Sequence, residues 1–142
     1  MKNFFFVVTL VFLTNCSGNQ PANQTNVANV KAKNEQLAVT NEVSSITRAA
    51  QKLENQGRGL EVIRTSLKPE GQRECNVMAE SGRKDIADLD NRIQKLPDNF
   101  KFQLAPIIPE LNECVSCSKK ALENCIKSRA LTNAAIKTLF PK

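Results

Sequence analysis

An all-α fold is what this sequence predicts, and three observations carry the prediction. Apolar residues recur at alternating steps of four and three along separate stretches of the chain, the spacing of one face of a helix. No run of alternating apolar and polar residues extends beyond a few positions, so no half-buried strand is expected. Proline and glycine fall between the stretches, at Pro69, Gly71, Pro97, Pro109 and Pro141, where helices should end or begin. The expected architecture is a small bundle of three to four helices with disulfides over residues 35–142. It would stand behind a leader at 1–15 and a linker at 16–34.

Taken in order, residues 1–15 carry one positive charge, Lys2, and then the nearly unbroken apolar run Phe4 to Leu13. That is the layout of an export signal. Ten such residues fall far short of the roughly 20 that span a hydrocarbon core. Residues 17–34 are polar and rich in Asn and Gln, with too few apolar groups to offset the entropy of ordering a backbone. They predict a flexible tether with a reach of about 20–25 Å on coil scaling.

From residue 36 the pattern turns helical. Val39, Val43, Ile46, Ala50 and Leu53 form one stripe, and Leu60, Ile63 and Leu67 continue after an interruption expected at Gly57 and Gly59. Cys75, Ala79, Gly82, Ile86, Leu89, Ile93 and Leu96 then predict a helix over about 72–96. The upper half of this stripe is small, which permits close approach of a neighbour, and the lower half is large and aliphatic. Phe100, Phe102, Leu104, Ile107 and Ile108 lie between Pro97 and Pro109 and should plug one end of the bundle. A last helix is expected from Pro109. Its spacing runs through Leu111, Cys114, Val115, Ser118, Leu122, Cys125 and Ile126, and then drifts on through Leu131, Ala135, Ile136 and Leu139.

Composition narrows function by exclusion. The chain has no His, Trp or Tyr. Without His, catalytic triads that depend on it and zincin-type metal sites are out of reach. Carboxylates and lysines remain, but no constellation of them stands out, and a non-enzyme is expected, with no cofactor. The formal charge is +6, or +5 once Lys2 is removed. The excess is spread out, and no run of like charge is long enough for a nucleic-acid arm. Neither nucleic acid nor metal is expected as a partner.

The string Leu13-Thr14-Asn15-Cys16-Ser17 follows directly on the apolar run. It resembles the lipobox of bacterial lipoprotein precursors in the relaxed form seen in spirochaetes, with Asn15 where Gly, Ala or Ser is usual. The resemblance implies cleavage before Cys16, acylation of Cys16, and anchoring of residue 16 onward to membrane lipid in the cell envelope. Two or more acyl chains give stable anchoring. Ser17 stands where the family's inner-membrane retention signal is Asp, which favours the outer membrane. Beyond residues 1–17 the chain broadly resembles small all-helical lipoproteins of uncharacterised role.

Four cysteines remain: Cys75, Cys114, Cys117 and Cys125. Outside the cytoplasm their default is oxidised. If 109–127 is one unbroken helix, Cys114 and Cys125 are about 16 Å apart along it, and Cys117 and Cys125 about 12 Å. Both exceed the roughly 7 Å that a disulfide tolerates between Cα atoms. The pairing expected on that premise is Cys75–Cys125 with Cys114–Cys117. A break near Ser116 would reopen Cys75–Cys114 with Cys117–Cys125.

Two functional classes follow. One is a non-catalytic, membrane-anchored binding or structural accessory module with an unknown protein partner. The other is an envelope thiol–disulfide redox protein using Cys114-Val115-Ser116-Cys117, although the βαβ context of thioredoxin-like sites is missing. A four-cysteine zinc site would need a second close pair, and Cys75 and Cys125 do not supply it.

Overall fold

The computed structural model describes residues 22–66 and 70–141. The leader at 1–15, Cys16 and Leu67 lie outside the described residues. Those described form five helices and no strand: α1 (Ala22–Ser66), α2 (Glu70–Gln94), α3 (Asp98–Leu104), α4 (Ile107–Cys114) and α5 (Ala121–Leu139). The chain divides into two units, residues 1–34 and 35–142.

In the first unit, α1 already runs from Ala22, so the coil expected over 16–34 is corrected for residues 22–34. Lys31, Ala32 and Lys33 are good helix formers. Adding a residue to an existing helix costs far less than nucleating one. Val27 and Val30 are exposed there, so tertiary burial contributes nothing at these positions.

The second unit holds the core. Val43, Ile46, Ala50, Leu53 and Leu60 of α1 are buried against Cys75, Ala79, Ile86, Leu89 and Ile93 of α2 and against Leu104, Ile107 and Leu111. All seven positions of the α2 stripe are buried, Gly82 and Leu96 included. Each large aliphatic among them contributes about 1.5–3 kcal/mol by leaving water. At the rim, Arg92 of α2 donates to Glu42 Oε1 at 2.8 Å and to Ser45 Oγ at 2.8 Å, fastening α2 to α1.

Three expectations need correction. Gly57 and Gly59 do not interrupt α1, which passes through both. The last helix is not continuous: α4 stops at Cys114 and α5 starts at Ala121. Phe102 does not plug the bundle, since it is 78% exposed, whereas Leu104 and Ile107 are buried as expected.

Local chemistry explains the break after Cys114. Val, Ser and Cys are mediocre helix formers, and a serine hydroxyl competes for backbone acceptors. Ser116 Oγ donates to the Glu113 carbonyl at 2.7 Å. Cys117 then adopts φ 58°, the left-handed region that costs a residue with a Cβ roughly 1–2 kcal/mol. Reversal there lays α5 back along α4, on which it packs.

Candidate functional site

The turn between α4 and α5 gathers all four of the paired cysteines. The bridges are Cys75–Cys117, with Cα atoms 5.9 Å apart, and Cys114–Cys125, with Cα atoms 4.6 Å apart. The pairing Cys75–Cys125 with Cys114–Cys117 is therefore corrected, and so is the Cys75–Cys114 alternative. The physical reason is the break itself. Distances along a continuous helix do not apply to residues on either side of a six-residue turn, and the reversal brings Cys125 back beside Cys114. On the chain-entropy account the two closures contribute roughly 4 and 3 kcal/mol, for sequence separations of 42 and 11.

Neither bridge presents a reactive sulfur. Cys75, Cys114 and Cys125 are fully buried and Cys117 is 4% exposed. Cys114 and Cys117 belong to different bridges, so the CxxC does not close on itself. Gln72 Nε2 donates to the Cys117 carbonyl at 3.3 Å, tying the turn to the start of α2.

The Cys114–Cys125 bridge lies against α1 at Gly57. A Cβ placed on Gly57 would collide with Cys114 Sγ, stand 2.7 Å from the Cys114 carbonyl oxygen and 2.8 Å from Cys125 Sγ. Gly57 is there so that the helix backbone can touch the bridge. Gly59 has no such neighbour, with nothing within 4 Å of an added Cβ.

One turn away in α1, Glu54 is fully buried. Ser128 Oγ and Thr132 Oγ1 donate to its Oε1 at 3.0 and 2.9 Å, and Arg129 Nε donates to Oε2. Arg129 also donates to Asn55 Oδ1 at 3.0 Å. A buried carboxylate must be paired and hydrogen-bonded to be tolerated, and here both oxygens are. The carboxylate is enclosed while the Arg129 side chain is one-third exposed, and the cluster holds α1 to α5 beside the disulfide.

Sequence reasoning passed over Glu54, Ser128 and Thr132, took Gly57 for a break, and left Arg129 on a solvated basic face. A signal existed for Glu54 and Gly57. Ala50, Glu54 and Gly57 step by four and three from a stripe residue, which places them on the buried side of α1. For α5 the apolar signal is thin: its buried face is Ala121, Asn124, Cys125, Ser128, Thr132 and Ala135, of which the spacing reached only Cys125 and Ala135. Leu122 and Ile126, expected in the core, are exposed.

The surface of the described residues offers more than one concavity of ligand size. A groove of about 730 Å³ runs between α3 and α5, reaching the end of α2 at Gln94. Phe102, Pro106, Leu131 and Ala134 supply apolar lining, and Lys101 and Gln103 supply polar groups. Among the described residues, no group of three or more His, Cys, Asp or Glu side chains comes together as metal ligands. No described helix is long and apolar enough to cross a membrane. No family model, curated protein or solved structure matches the chain.

Proposed function

We propose that this chain is a non-catalytic lipoprotein of a bacterial cell envelope. Acylated Cys16 would hold it to membrane lipid, more often the outer than the inner membrane, and residues 35–142 would serve as a binding or structural accessory domain. One observation carries the reading: the fold consumes four of the five cysteines in two buried bridges and leaves Cys16 as the odd thiol. Disulfides of this kind persist in oxidising compartments. A leftover cysteine placed directly after a short apolar run is where a lipoprotein carries its acyl groups. The helical body supplies rigidity. The Glu54 cluster and the two bridges brace that body from within.

The thiol–disulfide alternative receives no comparable support. A catalytic CxxC needs an accessible sulfur of low pKa, whereas these sulfurs are enclosed and bonded outward to Cys75 and Cys125.

Intact mass of the protein extracted from its native membrane tests the proposal. The expected species begins at Cys16, carries diacylglyceryl and acyl groups, and exposes four alkylatable thiols only after reduction. An unacylated mass, or thiols alkylated before reduction, would overturn it. Catalysis by the protein of insulin reduction, with dithiothreitol as the electron donor, would favour the redox reading instead.

A further inference from the structure

We infer that Cys117 is the sulfur at which thiol–disulfide exchange enters this fold. The Cys75–Cys117 bridge is then a redox latch, opened by a dithiol while the Cys114–Cys125 bridge stays closed. In this chemistry the chain is a substrate of exchange and not its catalyst. The latch belongs to the helical domain and stands apart from the anchor at Cys16.

Exchange requires that a thiolate reach one of the two bonded sulfurs. The Cys114–Cys125 bridge closes off both of its ends. Its two cysteines are fully buried, and both belong to helices, α4 and α5. Against α1 there is no room for one added carbon at Gly57, which would stand 2.8 Å from Cys125 Sγ and closer to Cys114 Sγ. A thiol is larger than that carbon, so α1 must leave before this bridge can be attacked. Cys75 is equally enclosed, fully buried in α2 with its Sγ 3.3 Å from the Leu60 carbonyl oxygen of α1.

Cys117 differs from the other three. It lies outside any helix, and it is 4% exposed where they are at zero. At rest its sulfur is covered, so what matters is how easily the turn opens. The Val115 and Ser116 amides donate to the Leu111 and Glu113 carbonyls, and the buried Val115 side chain fixes the start of the turn. Past that point the hold is slight. Among the described residues the Cys117 amide donates to no backbone carbonyl, and the Cys117 carbonyl accepts only from the exposed Gln72. Its φ of 58° is crowded for a residue with a Cβ, and opening relieves that crowding. Local opening of such a segment costs less than unfolding the core.

Charge favours the same sulfur. Lys119 and Lys120 follow within three residues, exposed, and neither lies within ion-pair distance of a carboxylate among the described residues. Ammonium groups nearby favour an attacking thiolate. That thiolate bonds to Cys117 Sγ, the bond to Cys75 Sγ breaks, and Cys75 leaves as a thiolate that takes a proton from water. The donor's second thiolate then displaces Cys117 from the mixed disulfide. Cys117 is protonated in turn, the donor ends as its own disulfide, and two electrons have passed to the bridge. Only the Gln72 hydrogen bond then ties the Cys117 carbonyl to α2.

The test uses the full chain carrying Cys16→Ser, oxidised and folded, exposed to graded dithiothreitol at pH 8. Samples are quenched with N-ethylmaleimide and the labelled cysteines located by peptide mass. A species labelled only at Cys75 and Cys117 is expected first, about tenfold or more ahead of Cys114 and Cys125, with the parent's helical circular dichroism. With glutathione in place of dithiothreitol and a rapid quench, the mixed disulfide should sit on Cys117 and the maleimide on Cys75. Gln72→Ala should speed the first labelling about threefold, the effect of losing one modest hydrogen bond, and leave the second unchanged. Labelling of Cys114 and Cys125 first, or of all four in one step, would overturn the latch. A first step that accelerates with urea as steeply as global unfolding would overturn it too. Glutathione found on Cys75 would overturn the choice of sulfur.

Discussion

Exchanging Gly57 for alanine places one methyl group against a disulfide and a backbone carbonyl, neither of which can step aside. The Cys114 carbonyl oxygen would lie at 2.7 Å and Cys125 Sγ at 2.8 Å, with Cys114 Sγ closer still. Overpacking a well-filled interior typically costs about 1–3 kcal/mol, and the rigidity of this bridge argues for the upper end. Helix propensity returns about 1 kcal/mol, because glycine disfavours a helix interior by that amount. The net expectation is a loss of about 2 kcal/mol. Gly59 supplies the control within the same helix, since an added Cβ there meets nothing within 4 Å. Gly59→Ala should gain about 0.5–1 kcal/mol. At about 3–6 °C per kcal/mol for a domain of this size, the two variants should melt on opposite sides of the parent. Thermal and urea unfolding under non-reducing conditions measures both. Repeating Gly57→Ala in a Cys114→Ala, Cys125→Ala background should shrink the penalty without erasing it, because the carbonyl remains. A Gly57→Ala variant melting at or above the parent would refute the proposed contact between α1 and the bridge.

Three further expectations concern the charged and unpacked parts of the molecule. Arg129→Met strips the ionic partner from a fully buried carboxylate and should cost about 3 kcal/mol in urea unfolding, against under about 0.5 kcal/mol for a surface change such as Lys119→Met. The melting temperature should stay flat between about pH 5.5 and 8, since the chain has no His, and then fall with acid. The sign follows from Glu61 and Glu123, whose carboxyls are held below the ordinary glutamate range by hydrogen bonds from Arg64 and Lys127. Their contribution is complete above the unfolded value of about 4.3 and is lost as pH drops through the lower folded value. Stability rising on acidification would contradict this. In hydrogen exchange, amides of residues 27–37 should exchange orders of magnitude faster than those of Val43–Leu60, because Val27, Val30 and Leu37 are exposed while Val43, Ile46 and Leu60 are enclosed. Equal protection across α1 would show that something covers its first turns.

How much of this was legible depended on whether burial left an apolar trace. The stripe of α2 was legible along its whole length because nothing but core packing dictated those seven positions. In α1 the stripe was equally plain, but glycine was misread as a break. Gly57 serves as a point of close approach, a role invisible until the opposing disulfide is located. In α5 the buried face is built from small and polar residues that complement Glu54 and the Cys114 bridge, and periodicity cannot register hydrogen bonds. The disulfide pairing failed for a related reason. A few weak helix formers and one left-handed cysteine decide whether Cys125 is about 16 Å along a rod or directly beside Cys114. Among the residues of the groove, Phe102 was noticed only as an apolar residue and assigned to the interior.

The two bridges overlap along the chain, each having one end inside the loop that the other closes. This ordering bears on assembly. If the chain is exported and Cys16 acylated as proposed, Cys75 and then Cys114 are the first thiols free to pair, and joining them in order of arrival gives a bond that the finished protein does not contain. Correct bonds form only if oxidation waits until the turn at Cys117 and the start of α5 have folded, or if a thiol–disulfide isomerase reshuffles the first pair. The fold thus carries a demand on timing. Yield from an oxidising refolding reaction should depend on the supply of such an exchange catalyst, as it would not for bridges formed in sequence.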